Sequence, residues 1–393
     1  MQVVLTGPRV PMAIWTVFRE FLWLGCVSFG GPAAHVGYFH RRFVTGLGWL
    51  DDDTFARLMA LTQFLPGPAS SQLGFAIGRH RAGLPGAVAA FVAFTLPSFL
   101  LMLALALYAA HLPETVLGGL VQGLKWLAVV VVADAVLKMG GKFCRDGTTR
   151  ALAVLTAVLL WLWPGIGTQL LALLAAALIG LATGRGGQGV QGEPGGAAPR
   201  RWPLIAFALI WGLLWLLPGD GLARLARDFY SAGALVFGGG HVVLPLLQGL
   251  VGERLAGDTF LTGYAAAQAV PGPMFSLASY LGALLAPGAP WLGALTATLA
   301  IFLPGFLLVL GLGDAWQRLA ARPGLAGAVT GINAAVVGLL LAALYDPVFR
   351  SAVHGGMDLV MVGVGFLLLR WGRVPLVWLV AGMAVVGLVV ELV

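Results

Sequence analysis

Long apolar runs, separated by short polar interruptions, fill the chain from one end to the other. Their lengths predict helices near residues 13–29, 55–78, 84–110, 116–139, 149–163 and 167–183, and again near 203–217, 226–250, 258–284, 290–313, 325–346, 356–370 and 374–391. None shows the strict alternation of a membrane-spanning strand. Between the two sets, "GRGGQGVQGEPGGAAPR" at 184–200 has no apolar face and reads as a flexible linker. Two of the apolar runs are interrupted by Pro-Gly-Pro, in "LTQFLPGPASSQLG" at 61–74 and "AQAVPGPMFS" at 267–276. Proline removes a backbone N–H and glycine costs helical entropy, so each run must break there.

The breaks belong to a larger repetition. "SFGGPAAHV" from Ser28 answers "VFGGGHVV" from Val236, and "DTF" at Asp53 answers "DTF" at Asp258. "QFLPGP" from Gln63 answers "QAVPGP" from Gln268, and "TLPSFLL" from Thr95 answers "FLPGFLL" from Phe302. Matches in one order, at offsets of about 205 to 208 residues, mark a duplication. This divides the chain into a first repeat (1–183), a linker (184–202), an extra hydrophobic segment without counterpart (203–217) and a second repeat (218–393).

Composition places these helices in a bilayer. Only 10% of the 393 residues are charged and 59% are hydrophobic, whereas soluble domains carry about 25% charged residues. The expected fold is an all-α polytopic membrane protein. The net charge of +7 then reflects basic loops on the cytoplasmic side, and no nucleic-acid partner is needed. The N-terminus lacks the basic stretch, apolar core and small-residue cleavage site of a signal peptide and is read as retained. Cys26 and Cys144 suggest neither a disulfide framework nor a thiolate metal site.

Loop charge also orients the repeats. Arg79, Arg81, Lys138, Lys142, Arg145, Arg150 and Arg185 occupy alternate loops of the first repeat, while the loops at Pro113 and Pro164 have no Lys or Arg. In the second repeat the complementary loops are basic, with Arg318 and Arg322, then Arg370 and Arg373. Two inverted-topology repeats of about five to six helical segments each result, with sites expected near the midplane between them. Arg41 and Arg42 stay cytoplasmic only if 55–78 is re-entrant, and Arg224 and Arg227 give the same answer for 258–284. On this scheme 203–217 lies at the interface or packs as an extra element. The alternative lets both broken segments cross fully, with 203–217 as a thirteenth span.

A helix that starts after a break presents free N–H groups and a positive dipole end, an anion site. The candidate binding residues are therefore Gln63, Pro66, Gly67, Pro68, Ser70, Ser71 and Gln72 with their repeat-related Gln268, Pro271, Gly272, Pro273 and Ser276. The glycine-rich turns Gly30, Gly31 and Pro32, and Gly238, Gly239 and Gly240, permit close backbone approach. Lys125, whose counterpart is Asn333, either balances anion charge or pairs with a carboxylate. His35, His241, Glu20 and Asp134 are candidate proton carriers. Asp53 and Asp258 are read as helix caps. No Walker A, HExxH or Gly-x-Ser-x-Gly pattern or intramembrane Asp pair is present, so the chain reads as neither an ATPase nor an enzyme, with no cofactor and no metal.

At "FGGPAAHVGYF", "LPGPASSQLG", "VFGGGHVVLP" and "AVPGP" the chain resembles the chromate ion transporter family in its long, two-domain form. The resemblance spans nearly everything outside the linker and 203–217. It implies a bacterial inner-membrane protein with two oppositely oriented homologous domains, exporting chromate with the proton motive force and conferring chromate resistance. Gly240 stands where the first repeat has Pro32, so the copies are expected to contribute unequally. Chromate mimics sulfate in charge and shape, which leaves sulfate or another oxyanion as the alternative substrate. A homodimer stays open.

Overall fold

The computed structural model describes residues 10–111, 113–183, 198–255, 257–316, 319 and 322–392; linker residues 184–197 and Arg318 lie outside them. The first repeat comprises α1 (Val10–Val27), α2 (Gly31–Phe39), α3 (Asp52–Phe64), α4 (Ala69–Tyr108), α5 (Glu114–Phe143), α6 (Gly147–Leu162) and α7 (Ile166–Thr183). After α8 (Arg201–Leu216) come α9 (Gly221–Leu235), α10 (Val243–Val251), α11 (Gly257–Ala269), α12 (Leu277–Leu285), α13 (Pro290–Leu312), α14 (Pro323–Ala343), α15 (Gly356–Arg370) and α16 (Leu376–Leu392). No strand occurs among the described residues. Among the described residues, α4, α5, α7, α13 and α14 with its continuation to Ala352 are long and apolar enough to cross a bilayer. Exposed leucines and valines cover their outer faces, and exposed Trp15, Trp23, Trp161, Trp202, Trp215, Trp291 and Trp378 add the amphipathic rings suited to a headgroup region. The fold is an all-α polytopic membrane protein.

Both Pro-Gly-Pro breaks form, and the segments around them fold back. Arg81 stacks over Trp49 at 5.2 Å, so the chain leaving the first broken segment returns to where it entered. In the second, Gly263 faces Tyr280 across the break so closely that a Cβ on Gly263 would collide with that ring. The segments are re-entrant hairpins. A second reversal lies at Ala82 and Gly83, where the backbone leaves helical geometry inside α4. There Gly78 and Gly86 face each other so closely that a Cβ on either would collide with the other's carbonyl oxygen. In a straight helix eight residues separate by about 12 Å. Residues 69–81 are thus a half-helix folded against the long limb 84–108, and Gly282 and Gly293 make the same reversal between α12 and α13.

Corresponding helices run in opposite directions. Asp314, just past the end of α13, approaches Arg79, which lies just before the reversal that starts the corresponding limb 84–108 of α4, to 3.9 Å. At the start of α15, Asp358 accepts hydrogen bonds from Gln122 Nε2 (3.0 Å) and Trp126 Nε1 (2.8 Å) of α5, while Arg370 at its end reaches Asp134 at 3.4 Å. So α15 runs parallel to α5, whereas its repeat counterpart α6 turns back from α5 through a short loop.

The repeats also exchange their last two helices. α6 and α7 pack on α14 of the second repeat, and α15 and α16 pack on α5 of the first. Glycine makes this contact backbone-to-backbone, as small residues do where helices associate without a hydrophobic driving force. A Cβ on Gly123 would collide with the carbonyl oxygen of Met383, and one on its counterpart Gly331 with that of Ala176.

The extra segment α8 corrects one charge-based expectation. Its start is tied to Asp314 by Arg200 (3.0 Å), while Trp215 at its end stacks on Arg227 at 4.8 Å. Sixteen helical residues span about 24 Å, so Arg224 and Arg227 sit at the end of the molecule opposite Arg79 and Asp314. Loop counting failed here because these arginines are not free loop charges. They surround the buried carboxylate of Asp228, together with Arg254 at 3.3 Å.

Candidate functional site

The two Pro-Gly-Pro turns are held by the opposite repeat. Gly67 N donates to the carbonyl of Val236 at the end of α9 (2.7 Å), and Gly272 N donates to the carbonyl of Ser28 just past α1 (2.9 Å). Val236 and Ser28 are repeat-related, so this is one contact made twice in exchange. Each glycine carries a left-handed backbone, with φ of 119° at Gly67 and 99° at Gly272, a region L side chains rarely adopt. Each also lies against the proline-containing helix of the other repeat. A Cβ on Gly67 would stand 3.1 Å from Gly305 Cα, and one on Gly272 3.1 Å from Ser98 Oγ; Ser98 and Gly305 are themselves counterparts.

The glycine-rich turns meet at the same place. A Cβ on Gly240 would stand 3.2 Å from the Pro32 ring and 2.7 Å from the Met274 methyl. The Pro32/Gly240 difference between the copies follows from this: a side chain at both positions would collide where the repeats meet. Gly238 faces Asn333, whose Oδ1 is buried without a partner.

The half-helix starts differ. The N–H groups of Ala69, Ser70 and Ser71 have no acceptor among the described residues, and no side chain caps them. The second copy opens with a 3-10 turn, Met274–Ser276, that leaves the N–H groups of Met274 and Phe275 free. Ser71 and Ser276, again counterparts, each bury a hydroxyl with no partner, as does Ser28. Unsatisfied polar groups this deep are costly, and their convergence on the breaks marks a place that a polar guest would complete.

Several of the candidate residues have other duties. Gln72 spends both amide hydrogens on the carbonyls of Pro66 (2.8 Å) and Gly305 (3.2 Å), so it braces the break and has no N–H left for an anion. Gln63 is exposed and accepts from Lys142 at 3.1 Å, and Gln268 is buried with its amide on the Met274 sulfur. Of the two roles considered for Lys125, the structure shows the carboxylate partner: its Nζ lies 2.6 Å from Asp258 Oδ1. Asp258 is therefore an ion-pair residue in the first turn of α11, and Asp51, not Asp53, caps α3 by accepting Thr54 N–H at 2.6 Å. That bond holds the Asp51 carboxyl below its ordinary value.

The titratable candidates separate as well. His35 is fully buried, and because Ser28 O can only accept, His35 Nε2 is the protonated nitrogen at 3.2 Å, leaving Nδ1 unpartnered. His241 Nδ1 pairs with the Tyr264 hydroxyl at 3.0 Å. Both histidines thus adjoin the assembled turns. Glu20 and Asp134 do not offer a free carboxylate. Glu20 is gripped by Arg42 and Arg19, and Asp134 by Lys138 (2.6 Å) and Arg370.

Two features were not among the candidates. Ser28 matters through its carbonyl, which no side-chain pattern reveals. Asp228 was legible, since "RD" at 227–228 answers "RE" at 19–20 at the offset of the other matches. No group of His, Cys, Asp and Glu able to hold a metal occurs among the described residues.

Comparison with known proteins agrees with this two-repeat organisation. The sequence model of the family described as "Chromate transporter" matches twice, over residues 15–181 and 223–388. A "Chromate transport protein" of Cupriavidus metallidurans is 30% identical over 373 residues, covering 94% of this chain and 91% of the relative. A protein of the same description from Pseudomonas aeruginosa is 29% identical over 401 residues, covering 95% and 92%. A "Probable chromate transport protein" of Synechococcus elongatus is 29% identical over 369 residues, covering 90% and 88%. No solved structure matches the chain significantly.

Proposed function

The chain belongs to the chromate transporter family, and from that premise we propose that it is a secondary transporter exporting chromate from the cytoplasm across the inner membrane, driven by the proton motive force and conferring chromate resistance. The observation that carries the reading is the exchanged seating of the two Pro-Gly-Pro turns, which leaves the N–H groups of 69–71 and of Met274 and Phe275 without acceptors at the junction of the repeats. Such N–H groups and helix dipoles hold an oxyanion by partial charges. This suits a transporter, because an anion gripped by several full charges would leave slowly. Gly30, Gly31 and Pro32, with Gly238, Gly239 and Gly240, wall the same junction. His35 and His241 are the proton-carrying candidates beside it.

The test is chromate uptake into inverted membrane vesicles with and without a proton gradient, with sulfate as competitor. Gradient-dependent chromate uptake is expected, and it should fall when His35→Gln and His241→Gln are combined. Uptake indifferent to the gradient would overturn the coupling, and uptake of sulfate in place of chromate would reassign the substrate.

The opposed helix directions support two repeats inverted across the membrane. Cysteines placed at Arg79 and Arg322 are then expected to react from the cytoplasmic side, and those at Pro113, Pro287 and Arg224 from the periplasmic side. Labelling of Pro113 and Arg322 from one side would refute the inversion.

A further inference from the structure

The two re-entrant hairpins are related by the repeat, yet they are not equally closed. At the mouth of the second, Asp258 meets Lys125 of α5 at 2.6 Å, the lysine being buried, and α11 packs along α5. Lys125 corresponds to Asn333 on α14, and Asp258 to Asp53 on α3, so the mirrored contact would join Asn333 to Asp53. It is not made. Asn333 is buried against Gly238 with an unpartnered Oδ1, and α3 packs on α4 and not along α14. Asp53 is exposed in the wall of an open cleft of about 880 Å³ between α2 and α3, lined also by Ala34, Tyr38, Phe55 and Ala56.

The mouths lie at opposite ends. Lys125 lies between Gln122 and Trp126, which bind Asp358, whereas the cleft adjoins His40 and Asp52, paired at 2.7 Å. A fold of two inverted copies in which one of two equivalent contacts is made, Lys125–Asp258, and the other, Asn333–Asp53, is not, is in one of two exchangeable states. We propose that the Lys125–Asp258 ion pair is the latch of the mouth at the Asp358 end, made in this conformation and broken in the alternate one. The proposal rests on the transport reading above. Because the partner position is a neutral Asn333, only one of the two closed states carries such a charge pair, so the equilibrium is biased toward the closure seen here.

The test needs no substrate, so its failure is separable from failure of the transport reading. In full-length protein carrying Cys26→Ser and Cys144→Ser, Thr262→Cys reports on the latched mouth, one turn below Asp258 on α11, and Ala56→Cys reports on the open cleft. An impermeant maleimide is added from each side in turn. Adding Lys125→Met is expected to raise labelling of Thr262→Cys by about tenfold and to lower that of Ala56→Cys, a population shift between two states. Lys125→Arg, which keeps the charge, should leave both rates near their starting values. Unchanged rates with Lys125→Met would overturn the latch. So would a rise at both positions, since that reports general loosening and not an exchange of mouths.

Discussion

Replacing Pro66 and Pro68 together by alanine is expected to abolish chromate transport while the protein still inserts into the membrane. With alanine on both sides of Gly67, α3 can continue into residues 69–81. The N–H groups of Ala69, Ser70 and Ser71 would then bond carbonyls of the preceding turn and be withdrawn from the site. The Gly67 N–H would leave Val236 O, to which it now donates at 2.7 Å, so the seat on the second repeat is lost as well. Three hydrogen bonds to an anion at about 1.5 kcal/mol each correspond to a loss on the order of a thousandfold in anion affinity. Insertion should persist because a continuous apolar helix satisfies its own backbone. The measurement pairs vesicle uptake with quantitation of the protein in the same membranes. Full uptake by the double variant would show that the break is a packing feature.

The second large effect is expected from the buried carboxylates. Asp228→Ala should destabilise the protein by roughly 3 kcal/mol, because it strips the partner from the mostly buried Arg227 and Arg254. Glu20→Ala should destabilise it by about 1 kcal/mol, because water reaches Arg19 and Arg42 once they are unpaired. Glu20 holds Arg42 and Arg19, and its counterpart Asp228 holds Arg254 with Arg224 and Arg227 nearby. These clamps tie the first helix of each repeat to the chain that follows its glycine-rich turn. Thermal melts in detergent should show early unfolding for both, and Glu20→Gln should also be less stable than the parent. If Glu20→Gln melted normally but lost proton coupling, Glu20 would be a proton carrier and not a clamp.

Sequence pattern revealed most of the helices because apolar run length is a local property. It also located the reversal inside α4, since the predicted runs stop at 78 and resume at 84, on either side of Ala82 and Gly83. It misplaced Arg224 and Arg227, for the charge rule counts loop cations and takes no account of a buried Asp228 that neutralises them. Gln72 was read as an anion-binding residue and Lys125 as a charge balancer or carboxylate partner, but which partner each would find depended on residues far away, Gly305 and Asp258. Glu20 and Asp134 looked like candidate carriers only while their arginine and lysine partners were out of sight.

By itself the sequence determined what depends on neighbours along the chain. Residue type alone makes an all-α membrane protein, duplicates its plan at a nearly constant offset, and forces a break wherever proline removes a helical N–H. The tertiary structure decided what those breaks are joined to. Gly67 reaches Val236, Gly272 reaches Ser28, and Pro32 fits against Gly240, all between residues more than 160 positions apart. The exchange of α6 and α7 for α15 and α16 is likewise invisible in one dimension, because a glycine face on a helix specifies close approach without naming its partner. The physical reason is the same in each case. Helix and break are set by backbone geometry within a turn or two, whereas which free N–H groups remain unpaired is settled only when the two repeats have packed and every other donor has found its acceptor.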